Sequence, residues 1–279
     1  LSVLPLHHAY ECTCGFLCQI YRGSTIAYCE GLRYIMKNMK EVHPTMILCV
    51  PLLIETMYHK IWANIRKNGM EKMVKKALAA SNASRKIGID LRKKLFSEIH
   101  ETFGGKLRMM IAGGAAVDPD ILKGLRDFGI LAVQGYGLTE CAPLAAVNRD
   151  KFYCDSSAGL ATPNATLEIV DAAEDGTGDI RFKGENIMLG YYKAPELTAE
   201  VIVDGWLYTG DLGFIDKDGF LHITGRRKNV IVTAGGCTAK LGMNGKDHVK
   251  KGLPILEDML GGFAVVLTQD DGVSPVVDL

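Results

Sequence analysis

The sequence predicts an α/β protein. A parallel-sheet α/β subdomain is expected over residues 1–154, a small antiparallel β-barrel-like subdomain over 155–225, and a hinge with a truncated or divergent C-terminal segment over 226–279. Three observations predict this. Before Cys154, short apolar runs alternate with stretches whose apolar residues recur at helical spacing, as in parallel strands connected by helices. After it, apolar and polar residues alternate on either side of Asp175-Gly176 and Asp218-Gly219, both hairpin signals. From Gly235 onward, glycines punctuate the chain so densely that only Gly262 to Thr268 reads as a strand.

In chain order, Val3-Leu4 could end a strand, and Thr45 to Val50 is a buried-strand run stopped by Pro51. Ile54, Met57, Tyr58, Ile61, Trp62 and Ile65 form one helix face, closed by Asn68-Gly69. Met70 to Ala80 and Asp90 to Phe103 read as further helices, the second with Leu91, Leu95 and Ile99 on one stripe. Aromatics and methionines at such spacing are core. Lys106 to Ala112 is a strand running into Gly113-Gly114. Asp118-Pro119 is a helix start, with Asp as N-cap and Pro at the first helical position. Ile121, Leu122, Leu125 and Phe128 are that helix's buried face, Gly129 closes it, and Ile130 to Val133 is the next strand.

Composition bounds the function. Apolar residues make up 48% of the 279 and charged residues 23%, an ordinary globular balance. Lys plus Arg equals Asp plus Glu at 32 each, so no global field draws nucleic acid or an anionic membrane. The longest apolar run is far short of the ~20 residues of a membrane span. The chain opens on Leu1 with no visible secretion signal, so a cytoplasmic fragment is expected. Of eight cysteines, Cys12, Cys14 and Cys18 cluster, but no second cluster completes a zinc spacing, and they read as plain thiols.

Three stretches carry chemistry. Gln134-Gly135-Tyr136-Gly137-Leu138-Thr139-Glu140 follows a strand, where α/β sheets bind ligands. Its glycines admit a close ligand, Tyr136 offers a face for a base, Thr139 a hydroxyl for a phosphate and Glu140 a hard oxygen for Mg2+. It could equally be a Gly-rich turn with Thr139 as a helix cap. In Tyr208-Thr209-Gly210-Asp211, an acid after a tight turn can accept both hydroxyls of a ribose. Taken alone, it reads more simply as a turn aspartate held by its own backbone. In Gly225-Arg226-Arg227-Lys228-Asn229, a guanidinium fork suits ribose or phosphate, or else the stretch is a charged linker.

In this order and spacing the three stretches resemble the adenylate-forming, or AMP-binding, superfamily. Gly113-Gly114-Ala115-Ala116 resembles its adenine-contacting loop, and Leu4-Pro5-Leu6-His7-His8 its Pro-x-His-His stretch. Pro44-Thr45 with Val50-Pro51-Leu52 and Glu55, and Asn186 to Tyr192, look like the long-chain fatty acyl-CoA synthetase branch. The fold implied is the family's large N-terminal domain, incomplete. The activity implied is a ligase joining fatty acid, ATP and coenzyme A, with Mg2+. By the same resemblance Thr139 and Glu140 are catalytic, with Glu140 the metal ligand. Gly113, Gly114, Ala115, Gln134, Gly135, Tyr136 and Gly137 surround the nucleotide, Asp211 and Arg226 hold its ribose, His8 lines the acyl channel and Lys228 is the hinge.

Fatty substrates imply work near membranes, although no anchor is visible. An amino-acid-activating relative would need an acid near Ile111-Ala112-Gly113, which is apolar. The family's phosphate loop and late catalytic lysine find no match, and Cys237-Thr238-Ala239-Lys240 departs from its pattern. A chain that binds nucleotide or acyl group without turnover is therefore the alternative expectation.

Overall fold

A π-helical turn, Glu11–Leu17, leads into α1 (Cys18–Tyr21), and one 3-10 turn at Leu32–Tyr34 leads into α2 (Ile35–Val42). The structure, a computed structural model, describes residues 1–227 and, as backbone alone, the short strands Val230–Val232, Thr238–Lys240, Ile255–Glu257 and Ala264–Val266. The last lies within the strand expected over Gly262 to Thr268.

Apolar spacing sets the first region. The run at β1 (Met46–Cys49) buries its last three residues. In α3 (Pro51–Lys67) Pro51 opens the helix, Ile54, Met57, Ile61 and Ile65 are the buried stripe, and Asn68 ends it. α4 covers Glu71–Arg85, about one turn longer than its spacing suggests, with Val74 and Ser81 buried seven residues apart on one face. The single helix expected over Asp90 to Phe103 is instead two, α5 (Arg92–Leu95) and α6 (Ser97–Thr102). Phe96 breaks it at φ −118°, ψ 32° and turns inward to pack edge-on against Phe128 at 5.2 Å. Of the expected stripe, Ile99 packs half-buried against the core, but Leu91 and Leu95 stay exposed while Phe96 and His100 are buried.

β2 (Met109–Ala112), α7 (Pro119–Asp127) and β3 (Leu131–Tyr136) follow. Asp118 caps α7, its carboxylate accepting from Asp120 N at 2.9 Å. Strands β1, β2 and β3 are parallel, and their register aligns Cys49, Ala112 and Gln134 at one edge. β3 runs three residues beyond the Val133 end read from sequence, then pairs antiparallel with β4 (Ala146–Val147), which pairs with β5 (Leu160–Ala161). Ser2 bridges Tyr28 where a strand end at Val3-Leu4 was expected. A continuous core from Ile35 to Ala132 fills the space between this sheet and its helices.

The second region is antiparallel. β6 (Ala165–Val170) and β7 (Gly178–Gly184) form a hairpin about Asp175-Gly176. Then come α8 (Pro195–Val201), β8 (Ile202–Val203), β9 (Trp206–Ile215) and β10 (Leu221–Arg226). The order is β10-β9-β7-β6, with β8 on β9, an open half-barrel. Ile180 and Phe182, alternate positions on β7, are fully buried, as their spacing implies. The sheets are tied where Ala158 N donates to Leu221 O at 2.7 Å and Leu221 N to Gly159 O at 2.9 Å. No helix among the described residues is long and apolar enough to cross a membrane.

Candidate functional site

Three elements converge at the carboxyl edge of the first sheet. The stretch Gln134 to Tyr136 lies within β3 rather than after it, so the strand itself presents these residues. Gln134, buried in that strand, accepts from Val117 N at 2.8 Å and donates to the carbonyls of Asp155 and Ser157. It thereby fixes the loop behind Gly113, Gly114 and Ala115. Gly113 lies against the buried ring of Tyr10, whose hydroxyl donates to Ile111 O at 3.0 Å; a Cβ at Gly113 would stand 3.0 Å from that ring. Gly137 has a steric reason to be glycine, since a Cβ there would overlap the Pro143 carbonyl.

Tyr136 reaches across to the second sheet. Its hydroxyl donates to Asp211 Oδ2 at 2.6 Å. Burial raises its pKa well above the usual value, reinforced by the Asp211 charge, so the phenol stays a donor. Asp211 is 2% exposed and sits inside β9, not in a turn. Gly210, at φ 73°, lets the strand bulge there, and the carboxylate bonds to Tyr136 rather than to its own backbone. Arg226 is its partner across the strand pair. Arg226 Nε lies 2.6 Å from Asp211 Oδ1, yet no aligned donor meets that oxygen. Burial raises the Asp211 pKa, opposed by Tyr136 and Arg226. Neighbouring Arg227 pairs with Asp179.

Thr139 begins a short 3-10 turn and is exposed; Glu140 is half-buried. Tyr191 OH donates to Glu140 Oε1 at 2.8 Å, and burial together with that carboxylate pushes the Tyr191 pKa up to about 12. The Asn186 to Tyr191 stretch lies over this loop: Asn186 donates to Cys141 O and Leu144 O, and Met188 N to Glu140 O. Leu138, Glu140, Tyr191, Tyr208, Thr209 and Arg226 line a cleft of about 170 Å³. A second concavity, about 280 Å³ beside Tyr58 and Trp62, touches none of these residues. His8 stands apart from the cleft lining, exposed, with Nδ1 accepting from Tyr10 N at 3.2 Å. Lys228 lies outside the described residues.

Comparison with known proteins decides the family. The pattern that defines the AMP-binding enzymes matches residues 1–192. The chain belongs to the AMP-binding enzyme family. Among its relatives, a long-chain-fatty-acid–CoA ligase of Cavia porcellus is 32% identical over 252 residues, covering 85% of this chain and 36% of that protein. A probable CoA ligase of Humulus lupulus is 33% identical over 249 residues, covering 82% and 38%. The chain thus spans little more than a third of these relatives. Two solved structures share the fold. The o-succinylbenzoate CoA synthetase of Bacillus subtilis superposes with TM-score 0.61 at 21% identity, covering 86% of this chain and 42% of that one. A fatty acyl CoA synthetase of Mycobacterium tuberculosis superposes with TM-score 0.59 at 24% identity, covering 84% and 41%.

Two residues of the site carry no local signal in the sequence. Tyr191 is one, because its partner Glu140 is 51 residues away. Tyr10 follows the His7-His8 pair, and only the packed loop shows that it backs Gly113.

Proposed function

We propose that the protein carrying this chain is a long-chain fatty acid–CoA ligase. It activates a fatty acid with ATP to acyl-AMP and pyrophosphate, then passes the acyl group to the thiol of coenzyme A. The observation that supports this most is the carboxylate of Asp211: buried, gripped by Tyr136 on one oxygen and paired on the other with the Arg226 guanidinium, which lines the cleft. A fixed acceptor of this kind suits the hydroxyls of a ribose.

Attack of a carboxylate on the α-phosphate needs positioning and charge neutralisation above all. In this reading Asp211 and Arg226 orient the sugar, while Gly113 to Ala115 and the Tyr136 strand end flank the base. Thr139 donates its hydroxyl to a phosphate oxygen. Glu140 brings a carboxylate, the hard donor that Mg2+ prefers, into the cleft that Arg226 also lines. The ion, when bound, neutralises phosphate charge. Tyr191, which lines the same cleft, holds Glu140 in place. The long-chain substrate rests on the 32% identical ligase and on the stretches around Pro44 and Asn186. His8 is assigned to the acyl channel and Lys228 to the hinge by family likeness.

A second reading, binding without turnover, is favoured for the isolated chain by the divergent residues after Gly236. Calorimetry tests the first. The chain should bind a non-hydrolysable palmitoyl-AMP mimic, and Asp211→Ala should weaken it by about 10- to 100-fold, the worth of hydrogen bonds to a charged group. Equal affinity in the variant would sink the ribose assignment. Equal affinity for an acetyl-AMP mimic would sink the long-chain one. ATP–pyrophosphate exchange by the isolated chain would remove the second reading.

A further inference from the structure

Away from the nucleotide cluster, three metal-ligating side chains of different chemistry meet. Donor atoms of Cys154, Asp216 and His222 all lie within 4.8 Å of one another, and all three residues are half-buried. They come from two segments, the loop between β4 and β5 and the β9–β10 hairpin. The backbone bonds between Leu221 and residues 158–159 already dock these segments.

Cys154 and Asp216 are anchored through other atoms as well, while the candidate donors of Asp216 and His222 face each other. Cys154 N donates to Asn148 Oδ1 at 2.8 Å, and Cys154 O accepts from Ser157 Oγ at 2.9 Å. Its Sγ is 3.4 Å from Ser156 Oγ. Asp216 Oδ1 accepts from the amides of Asp218 and Phe220, both at 2.9 Å, which turns Oδ2 toward His222 Nε2 at 2.9 Å. The His222 imidazole stacks flat on Phe214, 4.7 Å between centroids and 4° between planes.

We infer that Cys154, Asp216 and His222 form a site for one transition-metal ion of the Zn2+ class, with a fourth position open to water. A thiolate, an imidazole and a carboxylate are the donor set of a borderline ion; Mg2+ and Ca2+ take oxygen alone. Bond lengths of about 2.0–2.3 Å place tetrahedral ligands roughly 3.3–3.7 Å apart. The Asp216–His222 pair, at 2.9 Å, therefore opens slightly, and the sulfur already lies within 4.8 Å of both donors. Half-burial leaves a path for the ion. Binding releases the thiol proton of Cys154, and the ion replaces the proton on His222 Nε2, which leaves or moves to Nδ1.

The consequence is a staple between regions. β9 carries Asp211 and β10 carries Arg226, while the Cys154 loop supplies the carbonyls that hold Gln134. An ion here stiffens the frame around the candidate ribose cluster without touching it. The simpler alternative is an Asp–His hydrogen bond beside a spare thiol.

The test titrates the whole chain, kept reduced with a non-thiol reductant, with Co2+. The site predicts a thiolate-to-cobalt charge-transfer band that saturates at one ion per chain and is displaced by Zn2+. The band should vanish in Cys154→Ser and in His222→Ala, and survive joint replacement of Cys12, Cys14 and Cys18 by Ser. Zn2+ should raise the unfolding temperature of the parent chain but not of Cys154→Ser, whose far-UV spectrum should match the parent's. No band overturns the site. So does a band that persists in Cys154→Ser, or one lost only when the other three cysteines are replaced.

Discussion

The two sheets stand on unequal cores. Around the first, one cluster runs from Ile35 to Ala132 and takes in Trp62, Phe96, Phe103 and Phe128. Around the second, the described residues form two clusters of four buried side chains each: Cys141, Ala145, Phe182 and Leu207, and Ala146, Ala158, Ile180 and Leu221. Several members of those clusters, Ala145 and Ala146 among them, come from the segment that follows β3. The second sheet carries polar contacts beside its thin core. Arg181 stacks on Trp206 at 4.2 Å and pairs with Glu168, and Arg227 pairs with Asp179. The first region is thus a scaffold, and the second is a frame leaning on it, with the Tyr136–Asp211 bond at the seam.

The chain's two tryptophans report the two regions separately, Trp62 in the first core and Trp206 on the second sheet. In Phe128→Ala, removal of a fully buried ring should cost about 3–5 kcal/mol. We predict that the Trp62 transition drops and the Trp206 transition drops with it, since clusters of four residues bury too little to stand alone. A Trp206 signal that holds while Trp62 melts would break the comparison. Ile180→Val should cost about 0.5–1.5 kcal/mol and move the Trp206 transition alone. An equal shift at Trp62 would show that the two regions melt as one unit.

The smallest expected effect is a pH slope that arises in the first region. His100 is buried, its Nε2 donates to Phe128 O at 2.9 Å, and burial lowers its pKa below the usual 6.5. Below about pH 6.5 the unfolded chain takes up a proton that the fold refuses. The stability this gives is complete above that pH and is lost as pH falls toward the folded value. Thermal melts of His100→Gln against the parent should therefore converge on acidification. Parallel curves would remove His100 as the cause.

Legibility followed the range of the interactions. Helix α3 could be read from its own spacing, and the Asp118 cap from two adjacent residues, because both use contacts a few residues apart. The break at Phe96 could not, since Phe128 pulls that ring inward from 32 positions away. The ribose candidate shows the same divide. Asp211 alone looked like a turn residue. Its carboxylate is positioned by Tyr136, 75 residues earlier, and by Arg226 on the next strand.

By itself the sequence determined the α/β class, the switch to antiparallel pairing and the family motifs, because periodicity and turn chemistry act locally. Tertiary structure alone decided which motif residues touch. It joined Tyr136 to Asp211 and Tyr191 to Glu140, and it gathered Cys154, Asp216 and His222, since side chains from distant segments converge only once the two sheets have docked.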